Sequence, residues 1–271
     1  MSSVSPLTEI FQFSGELAGK PLEVIVGTPV PGSVNTLPRL LYVVDPYLYM
    51  PAAIDMARAM ARDREPIVPL IVVGVGTSIR SHQDSVDYML RTRNGLLVPP
   101  EEGINDSIMA NVANQPAPEA HRFLRFIADE LDPLLRQRYE ISPDPAGLFG
   151  HSYGGLFAAY ALAEQPPVFD RYILSSTGVL PERQMLPRLE HAPAGSLQGR
   201  VYLGLGEGED ACAAEYTGDL GVGWHRLMQA LAPPRQPKIQ LRAEIHAAQG
   251  HATAPLFNLA RGLRWLYAAG G

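Results

Sequence analysis

Cysteine is almost absent from this chain of 271 residues, since Cys212 is its only copy. A single thiol excludes an internal disulfide and any metal site built from several thiolates. The sequence also lacks a helical His-x-x-x-His pair and an Asp-rich loop, which are common signs of a metal site. We therefore expect neither a metal ion nor another cofactor.

Long apolar runs and basic clusters are missing as well. No stretch approaches the roughly 20 apolar residues of a membrane span, and residues 1–15 lack the basic and apolar parts of a signal peptide. The net charge is −6, and no run of lysine or arginine offers a patch for phosphate groups. We expect a cytoplasmic protein that acts on a small molecule, with neither nucleic acid nor membrane as partner. The sequence leaves the oligomeric state open.

What the chain does contain is the composition of a globular protein, with 46% hydrophobic and 18% charged residues. Short β-rich segments alternate with amphipathic ones. The segments at 40–44 and 67–74 are apolar throughout, as in strands that are buried on both faces. This alternation predicts one α/β domain over residues 1–271, with a mostly parallel central sheet and helices on both faces.

The spacing of apolar residues along the chain predicts the individual strands and helices. Strands are predicted at residues 8–13, 22–27, 40–44, 67–74, 146–149, 169–175, 200–205 and 238–246. Helices are predicted at residues 50–62, 119–139, 156–164, 224–231 and 253–267. We expect an antiparallel first pair of strands with Gly15 and Gly19 in the turn, and a kink at Pro133. Residues 77–114 show no period and are interpreted as a long functional loop region, and residues 181–195 as a segment that caps a cleft.

The most informative motif is Gly150-His151-Ser152-Tyr153-Gly154, which stands between a predicted strand and a predicted helix. Gly-x-Ser-x-Gly in this setting is a nucleophile elbow, a tight turn that projects the serine hydroxyl away from the backbone. We expect glycine at 150 and 154 because a Cβ there would collide with the neighbouring strand or helix. Ser152 is therefore the candidate nucleophile.

A serine hydroxyl needs a base within hydrogen-bond reach, and the chain has seven histidines. His251 is favoured because it follows the last predicted strand and precedes the last helix, in the α/β-hydrolase order of nucleophile, acid and base. The alternative is that His251 only caps that helix. We expect His151 to point away from the hydroxyl and His246 to pack in its strand. His82 and His191 are expected in surface loops that could touch a substrate.

The base in turn needs a carboxylate that holds it in one tautomer. Glu207, Glu209 and Asp210 all follow the seventh predicted strand, and a triad uses only one of them. We favour Glu209, then Asp210, then Glu207, although spacing alone leaves the choice open. Because Ser152, His251 and these carboxylates all follow predicted strands, a parallel sheet would bring them to the same edge.

A developing oxyanion needs N–H donors that are already in place. We expect one from the backbone of Tyr153, the residue after the nucleophile. The second is expected from Tyr47, in the turn after the third strand, because Pro46 has no N–H. Arg91 and Arg93 lie two residues apart and could clamp an anionic or polyphenolic substrate. An exposed polar loop accounts for the two arginines equally well.

Much of the chain, from about residue 40 to residue 267, resembles the esterase-D-type "putative esterase" family of α/β-hydrolases. The resemblance lies in the elbow and its continuation through Ala158, in the helix at 123–139, and in the Gly-Leu-Arg-Trp-Leu segment at 262–266. This family includes siderophore trilactone esterases and mycolyltransferases. The resemblance implies the α/β-hydrolase fold and cleavage of an ester by an active-site serine.

Shorter motifs of the same family resemble other candidate residues. Gly250-His251 resembles the Gly-His that carries the family's base, and Gly206-x-x-Glu209 resembles its Gly-x-x-Glu, which implies Glu209 as the acid. The pair Arg91 and Arg93 resembles an arginine-rich segment of the siderophore esterases. One departure is the sequence Asp-Pro at 45–46 where the family usually has Asp-Gly, since proline stiffens the turn that supplies the second oxyanion donor.

Three hypotheses about function follow. The first is a serine hydrolase that cleaves a carboxylic ester or macrolactone through an acyl-enzyme on Ser152, with a siderophore-like trilactone as the substrate class that the resemblance implies. The second is an acyltransferase or thioesterase that releases a polyketide or peptide acyl chain. The third is a hydrolase-like protein that binds its ligand without turnover. Intact Ser152, Glu209 and His251 favour an enzyme over the third.

Overall fold

The structure is a computed structural model that describes residues 7–17, 19–30, 36–77, 86–103, 116–210 and 220–269. The chain divides into two compact units. The first comprises residues 1–146 and 267–271, and the second comprises residues 147–266. Within the described ranges, no helix has both the length and the apolar character that crossing a bilayer requires.

Four strands form the sheet of the first unit. They are β1 (Thr8–Leu17), β2 (Lys20–Gly27), β3 (Arg39–Val44) and β4 (Leu70–Thr77), in the spatial order β1-β2-β4-β3. The β1–β2 and β2–β4 pairs are antiparallel, and β3 and β4 are parallel. The predicted antiparallel pair is confirmed, but Gly15 lies inside β1 rather than in the turn. The register of β1 shifts between Phe13 and Glu16, and such a bulge accommodates a glycine within a strand.

The helices of the first unit differ from prediction mainly at their ends. They are α1 (Pro46–Met60), α2 (Val86–Leu97), α3 (Ala120–Arg125) and α4 (Asp132–Arg138), with a 3-10 turn at Pro100–Glu102 and a π-helical segment at Phe126–Leu131. Helix α1 begins at Pro46 rather than at residue 50, because proline suits the first turn of a helix. The irregularity in the predicted 119–139 helix is the π-helical segment, which precedes Pro133.

Helix α2 corrects the interpretation of residues 77–114 as a loop region. Thr92 is 2% exposed and Asn94 is fully buried, so the helix buries these two polar side chains together with Leu96 and Leu97. These buried polar residues interrupt the apolar pattern by which an amphipathic helix is recognised, so the sequence showed no period. Arg91 and Arg93 thus lie on a helix. The rest of the predicted loop, at 78–85 and 104–115, falls outside the described residues.

The second unit carries strands and helices in alternation. Its strands are β5 (Ala146–His151), β6 (Phe169–Ser175), β7 (Gln198–Gly206) and β8 (Lys238–His246), side by side in chain order. Its helices are α5 (Tyr153–Glu164), α6 (Met185–Glu190), α7 (Glu207–Asp210), α8 (Leu220–Leu231) and α9 (Ala254–Leu266). Strands β6, β7 and β8 are parallel, so their carboxyl ends meet at one edge of the sheet.

Two helices of the second unit bear on the site. Helix α5 is buried on nearly every side, which holds the residue before it in a fixed position. Residues 181–195, the predicted cap segment, contain helix α6, in which Met185, Leu186 and Leu189 are buried and which packs against α8. Six residues make fewer than two helical turns, which is too short for a period to show.

Candidate active site

Ser152 occupies the turn between β5 and α5, as the elbow motif predicts. Its backbone has φ 59° and ψ −115°, a conformation that costs a non-glycine residue on the order of 1–3 kcal/mol. The neighbouring loop holds it there. Ser152 N–H donates to the carbonyl of Ser175 at 3.0 Å, and Gly178 N–H donates to the carbonyl of Ser152 at 3.0 Å.

Gly150 of the elbow and Gly155, directly after it, are required by close backbone contacts, and the expectation for Gly154 stays a prediction. A Cβ at Gly150 would stand 2.0 Å from the carbonyl oxygen of Gly154, which is far inside van der Waals contact. A Cβ at Gly155 would stand 2.9 Å from the Cα of Thr177. Strand, helix and following loop therefore approach one another through positions where any side chain would force them apart.

His251 and Glu209 form a short hydrogen-bonded pair. His251 Nδ1 lies 2.6 Å from Glu209 Oε1, and the Glu209 side chain is 2% exposed. A carboxylate acceptor fixes the imidazole in the tautomer that carries its proton on Nδ1. Nε2 of a neutral His251 then has a lone pair with which it can accept the proton of a serine hydroxyl.

The second oxygen of Glu209 is also occupied. Ser176 Oγ and Gly206 N–H both donate to Glu209 Oε2, each at 2.7 Å. Glu209 stands in the short helix α7, directly after β7, and Ser176 follows β6, the neighbouring parallel strand. Adjacent strand ends thus supply the groups that hold the carboxylate.

The other two candidate acids have different partners. Asp210 Oδ1 lies 2.8 Å from His225 Nε2, in a pair that is partly exposed. Glu207 Oε2 accepts the backbone N–H of Ala248 at 2.8 Å. Of the three carboxylates after β7, Glu209 is the one that contacts His251.

The elbow and His251 come together through His151. The rings of His151 and His251 have centroids 4.5 Å apart, so the candidate base lies against the residue that precedes Ser152. His151 is 3% exposed, and its Nδ1 lies 3.0 Å from Ser175 Oγ. Asn258 Nδ2 in turn donates to Ser175 Oγ at 2.8 Å. Ser152 and His251, which the sequence singled out, thus belong to the same edge of the sheet in the second unit.

The two predicted oxyanion donors each lie in the first turn of a helix. Tyr153 is the first residue of α5 and Tyr47 is the second residue of α1. The first N–H groups of an α-helix have no carbonyl partner within the helix and point outward along its axis. Tyr153 belongs to the second unit and Tyr47 to the first. The role of this pair stays a prediction.

Arg93 forms a bidentate ion pair with Asp45. Arg93 Nε lies 2.9 Å from Asp45 Oδ1, and its second nitrogen lies 3.0 Å from Oδ2. Although burial alone would lower it, the carboxylate of Asp45 raises the pKa of Arg93 above its ordinary value. Arg91 is partly exposed, and its buried Nε has no hydrogen-bond partner among the described residues. Substrate binding by the two arginines stays a prediction.

Two further histidines, His246 and His191, lie in ordinary structural contacts. His246 Nε2 lies 2.9 Å from the hydroxyl of Tyr202, and His191 Nδ1 lies 2.7 Å from the carbonyl of Pro187 in its own helix. His82 falls outside the described residues. Over the described ranges, no three His, Cys, Asp or Glu side chains group as ligands for a metal ion.

Sequence reasoning missed two residues that contact the candidate triad. Ser176 bonds Glu209 and His151 packs against His251, yet neither contact has a motif of its own. One signal was available for Ser176, because a serine directly after a parallel strand lies at the edge where the catalytic groups are expected.

The candidate nucleophile, acid and base follow β5, β7 and β8 of the second unit in that order, and this order on a parallel sheet is typical of the α/β-hydrolase class. The sequence model of a family described as "Putative esterase" matches residues 102–251. That match covers more than half of the chain, and the chain belongs to this family.

The chain is also similar to individual proteins, to two of them by sequence and to a third by structure. The chain is 31% identical to a "Siderophore enterobactin esterase" of Emericella nidulans over 60% of its length, and 24% identical to the "Ferri-bacillibactin esterase BesA" of Bacillus subtilis over 64%. These matches span 56% and 59% of the two relatives, less than two thirds of their length. The crystal structure of the BES protein from Bacillus cereus superposes with a TM-score of 0.79 at 22% identity, covering 99% of this chain and 98% of that one.

Proposed function

We propose that this protein is a serine hydrolase that cleaves a carboxylic ester through an acyl-enzyme on Ser152. The observation that carries the proposal is the Glu209–His251 pair at 2.6 Å, which lies beside a strained serine elbow. An imidazole held by a buried carboxylate is the arrangement that activates a serine hydroxyl. Glu207 and Asp210 are bystanders in this proposal.

The first half of the reaction forms the acyl-enzyme. Ser152 Oγ attacks the ester carbonyl carbon while His251 Nε2 takes the hydroxyl proton. The negative charge moves to the carbonyl oxygen, where the backbone N–H groups of Tyr153 and Tyr47 stabilise it. The tetrahedral intermediate then collapses, and His251 returns the proton to the departing alcohol oxygen.

The second half releases the acid. Water enters, loses a proton to His251 and attacks the acyl carbon. Collapse of this second intermediate breaks the bond to Ser152 Oγ, which regains its proton from His251. Throughout, the ionised Glu209 stabilises the imidazolium form of His251, so each proton transfer is assisted by the same pair.

Siderophore esters are the substrate class that we propose. The relatives in Emericella nidulans and Bacillus subtilis are a siderophore enterobactin esterase and a ferri-bacillibactin esterase. In our proposal Arg91 and Arg93 lie on the substrate side, where guanidinium groups bind anionic or polyphenolic parts of a ligand. Residues 1–271 act as one cytoplasmic catalytic domain without a nucleic-acid or membrane partner.

The test combines an active-site probe with substrates. The protein is incubated with a fluorophosphonate, with p-nitrophenyl esters, and with enterobactin and bacillibactin in their iron-free and ferric forms. We expect labelling of Ser152 and ester turnover, and Ser152→Ala should lose roughly 10⁴-fold or more in kcat. Ser142→Ala, at a serine whose hydroxyl donates to Asp144, is the control and should behave as the parent does.

Two outcomes contradict the proposal. Parent protein that neither reacts with the probe nor cleaves any of these esters is not a serine esterase. Ser152→Ala with parental turnover places the chemistry elsewhere. Products formed with water and an alcohol in competition decide between hydrolysis and acyl transfer, and we expect free acid as the main product.

A further inference from the structure

Ser176 contacts the triad acid from an unusual backbone position. It directly follows β6 and is fully buried. Its N–H donates to the carbonyl of Gly204 at 2.9 Å, which fixes it beside β7. Its hydroxyl donates to Glu209 Oε2 at 2.7 Å. Ser176 therefore connects the end of one strand with the carboxylate that follows the next.

Glutamate needs such a contact more than aspartate would. Its side chain has one more rotatable bond, so fixing both oxygens costs more conformational entropy. Oε1 faces His251, and Oε2 accepts from Gly206 N–H and from Ser176. Across the parts of the chain that are described, Ser176 supplies the only side-chain hydrogen bond to Oε2. A Cβ at Gly206 would stand 2.9 Å from that oxygen, so the backbone there already lies as close as it can.

The backbone of Ser176 adopts a strained conformation. Its φ is 39°, in the left-handed region that glycine adopts freely and that a serine adopts at a cost. Strained residues of this kind gather at functional sites. Glycine would suit the backbone better, and the hydroxyl is what serine adds.

We propose that Ser176 is a positioning residue for the proposed ester hydrolysis, on which this inference rests. Its hydroxyl fixes the Glu209 carboxylate in the orientation that His251 needs. By donating to Oε2 it also draws negative charge away from the oxygen that faces the imidazole. Ser176 thus acts on the reaction through Glu209 and His251 and does not touch the substrate.

Loss of the Ser176 hydroxyl should change the pH dependence of the reaction in one direction only. Without the hydroxyl, the carboxylate holds the protonated imidazole more strongly, and a higher pH is needed to free the base. The titratable side chains that contact His251 in the described residues are Glu209 from α7 and His151 from β5. A substitution at Ser176 replaces neither of these side chains, so a shift of the acid limb of the pH profile reports on the Ser176–Glu209 contact.

The decisive variant is Ser176→Gly, because it removes the hydroxyl and the backbone strain together. We expect kcat to fall about 10-fold with little change in KM. The acid limb of kcat/KM should move upward by about 0.5 pH unit. The Tm should stay within about 4 °C of the parent. Ser176→Ala keeps the strain and should lose the same activity. Ser142→Ala is the matched control and should change neither kcat nor the pH profile.

A second measurement is independent of turnover. We expect the proton between His251 Nδ1 and Glu209, in a bond of 2.6 Å, to give a low-field resonance in one-dimensional proton NMR. We expect it to shift or broaden in Ser176→Gly and to stay unchanged in Ser142→Ala. Ser176→Gly with a parental resonance, or with parental kcat and acid limb, overturns the inference. If the parent cleaves no ester, the proposed function fails, and the NMR result still decides whether Ser176 holds Glu209.

Discussion

Residues with a strained backbone lie mostly beside the candidate catalytic groups of this protein. Five described residues other than glycine have a left-handed φ, namely Asp45, Ser152, Gln165, Ser176 and Ala248. Ser152 is the elbow, Ser176 holds Glu209, and Ala248 lies in the loop that leads to His251. Gln165 follows α5, where a left-handed residue is an ordinary helix end. Strain is therefore stored where orientation matters for chemistry.

Replacement of Glu209 by glutamine tests the acid directly. The carboxamide has nearly the same shape, but it can donate to His251 Nδ1 and favour the wrong tautomer. We expect Glu209→Gln to lower kcat by about 10²–10⁴-fold, measured under saturating p-nitrophenyl ester. Asp210→Asn is the matched control, because Asp210 bonds His225 instead, and it should stay within about twofold of the parent. If Asp210→Asn lowered kcat more than Glu209→Gln does, Asp210 would be the acid of the triad.

At the scale of secondary structure, the ion pair between Asp45 and Arg93 connects the start of α1 with α2. Asp45 is 4% exposed, and the hydroxyl of Tyr47 also donates to it at 3.2 Å. Burial and the Asp45 charge raise the pKa of Tyr47 above its ordinary value, so Tyr47 stays a neutral donor. The turn that carries the second proposed oxyanion donor is thus held by a helix that the sequence did not reveal.

The two arginines of α2 should respond differently to substitution. Arg93→Met leaves the buried Asp45 without its guanidinium partner, and such a loss costs about 3–5 kcal/mol of stability. Arg91 has no carboxylate partner among the described residues, so Arg91→Met should leave the Tm within about 4 °C of the parent. If Arg91 binds the substrate, the Arg91→Met variant should have a KM for the siderophore ester about 10-fold above that of the parent. Thermal unfolding and steady-state kinetics of both variants check this, and equal Tm losses would contradict it.

The elements of the second unit were the easiest to predict. Strands β6 and β8 have the predicted ends, and the elbow between β5 and α5 was recognised from its glycines. These elements have clear apolar runs and short connections. Helices α2 and α6 were missed because one buries polar residues and the other has fewer than two turns.

For the stability of the molecule as a whole, Glu244 is a carboxylate with several strong partners among the described residues. Arg261 donates to both of its oxygens at 3.0 Å, and Arg242 and the buried Tyr202 hydroxyl donate at 2.7 and 2.8 Å. The hydrogen bonds from Arg261 and then from Tyr202 and Arg242 outweigh the effect of burial and lower the pKa of Glu244 to about 2. Burial also lowers the pKa of His246 in the same cluster.

Both shifts make the protein less stable in acid. A lowered carboxyl pKa contributes stability that is present above the unfolded value of 4.5 and is lost as pH falls toward about 2. His246 acts in the same direction below its ordinary value of 6.5, because the unfolded chain takes up the proton more readily.

Glu244→Gln should therefore lower the Tm by about 3–6 °C at pH 7, and the difference from the parent should shrink as the pH approaches 2–3. Glu207→Gln, at a carboxylate that accepts one backbone N–H, is the control and should lower the Tm less than Glu244→Gln does at pH 7. Calorimetry across this range checks the prediction, and a Glu244→Gln difference that grows in acid would contradict it.

The sequence by itself determined the candidate nucleophile and the fold class, because an elbow and an apolar strand depend on residues that are neighbours in the chain. The chain order of Ser152, Glu209 and His251 could also be read from the sequence, and it led to the chemistry that we propose. Tertiary structure decided which carboxylate faces the imidazole, why Arg93 is paired, and that Ser176 bonds Glu209. These contacts join residues that are far apart in sequence, and they follow from strand order and register, which set the groups that meet at one edge of a sheet.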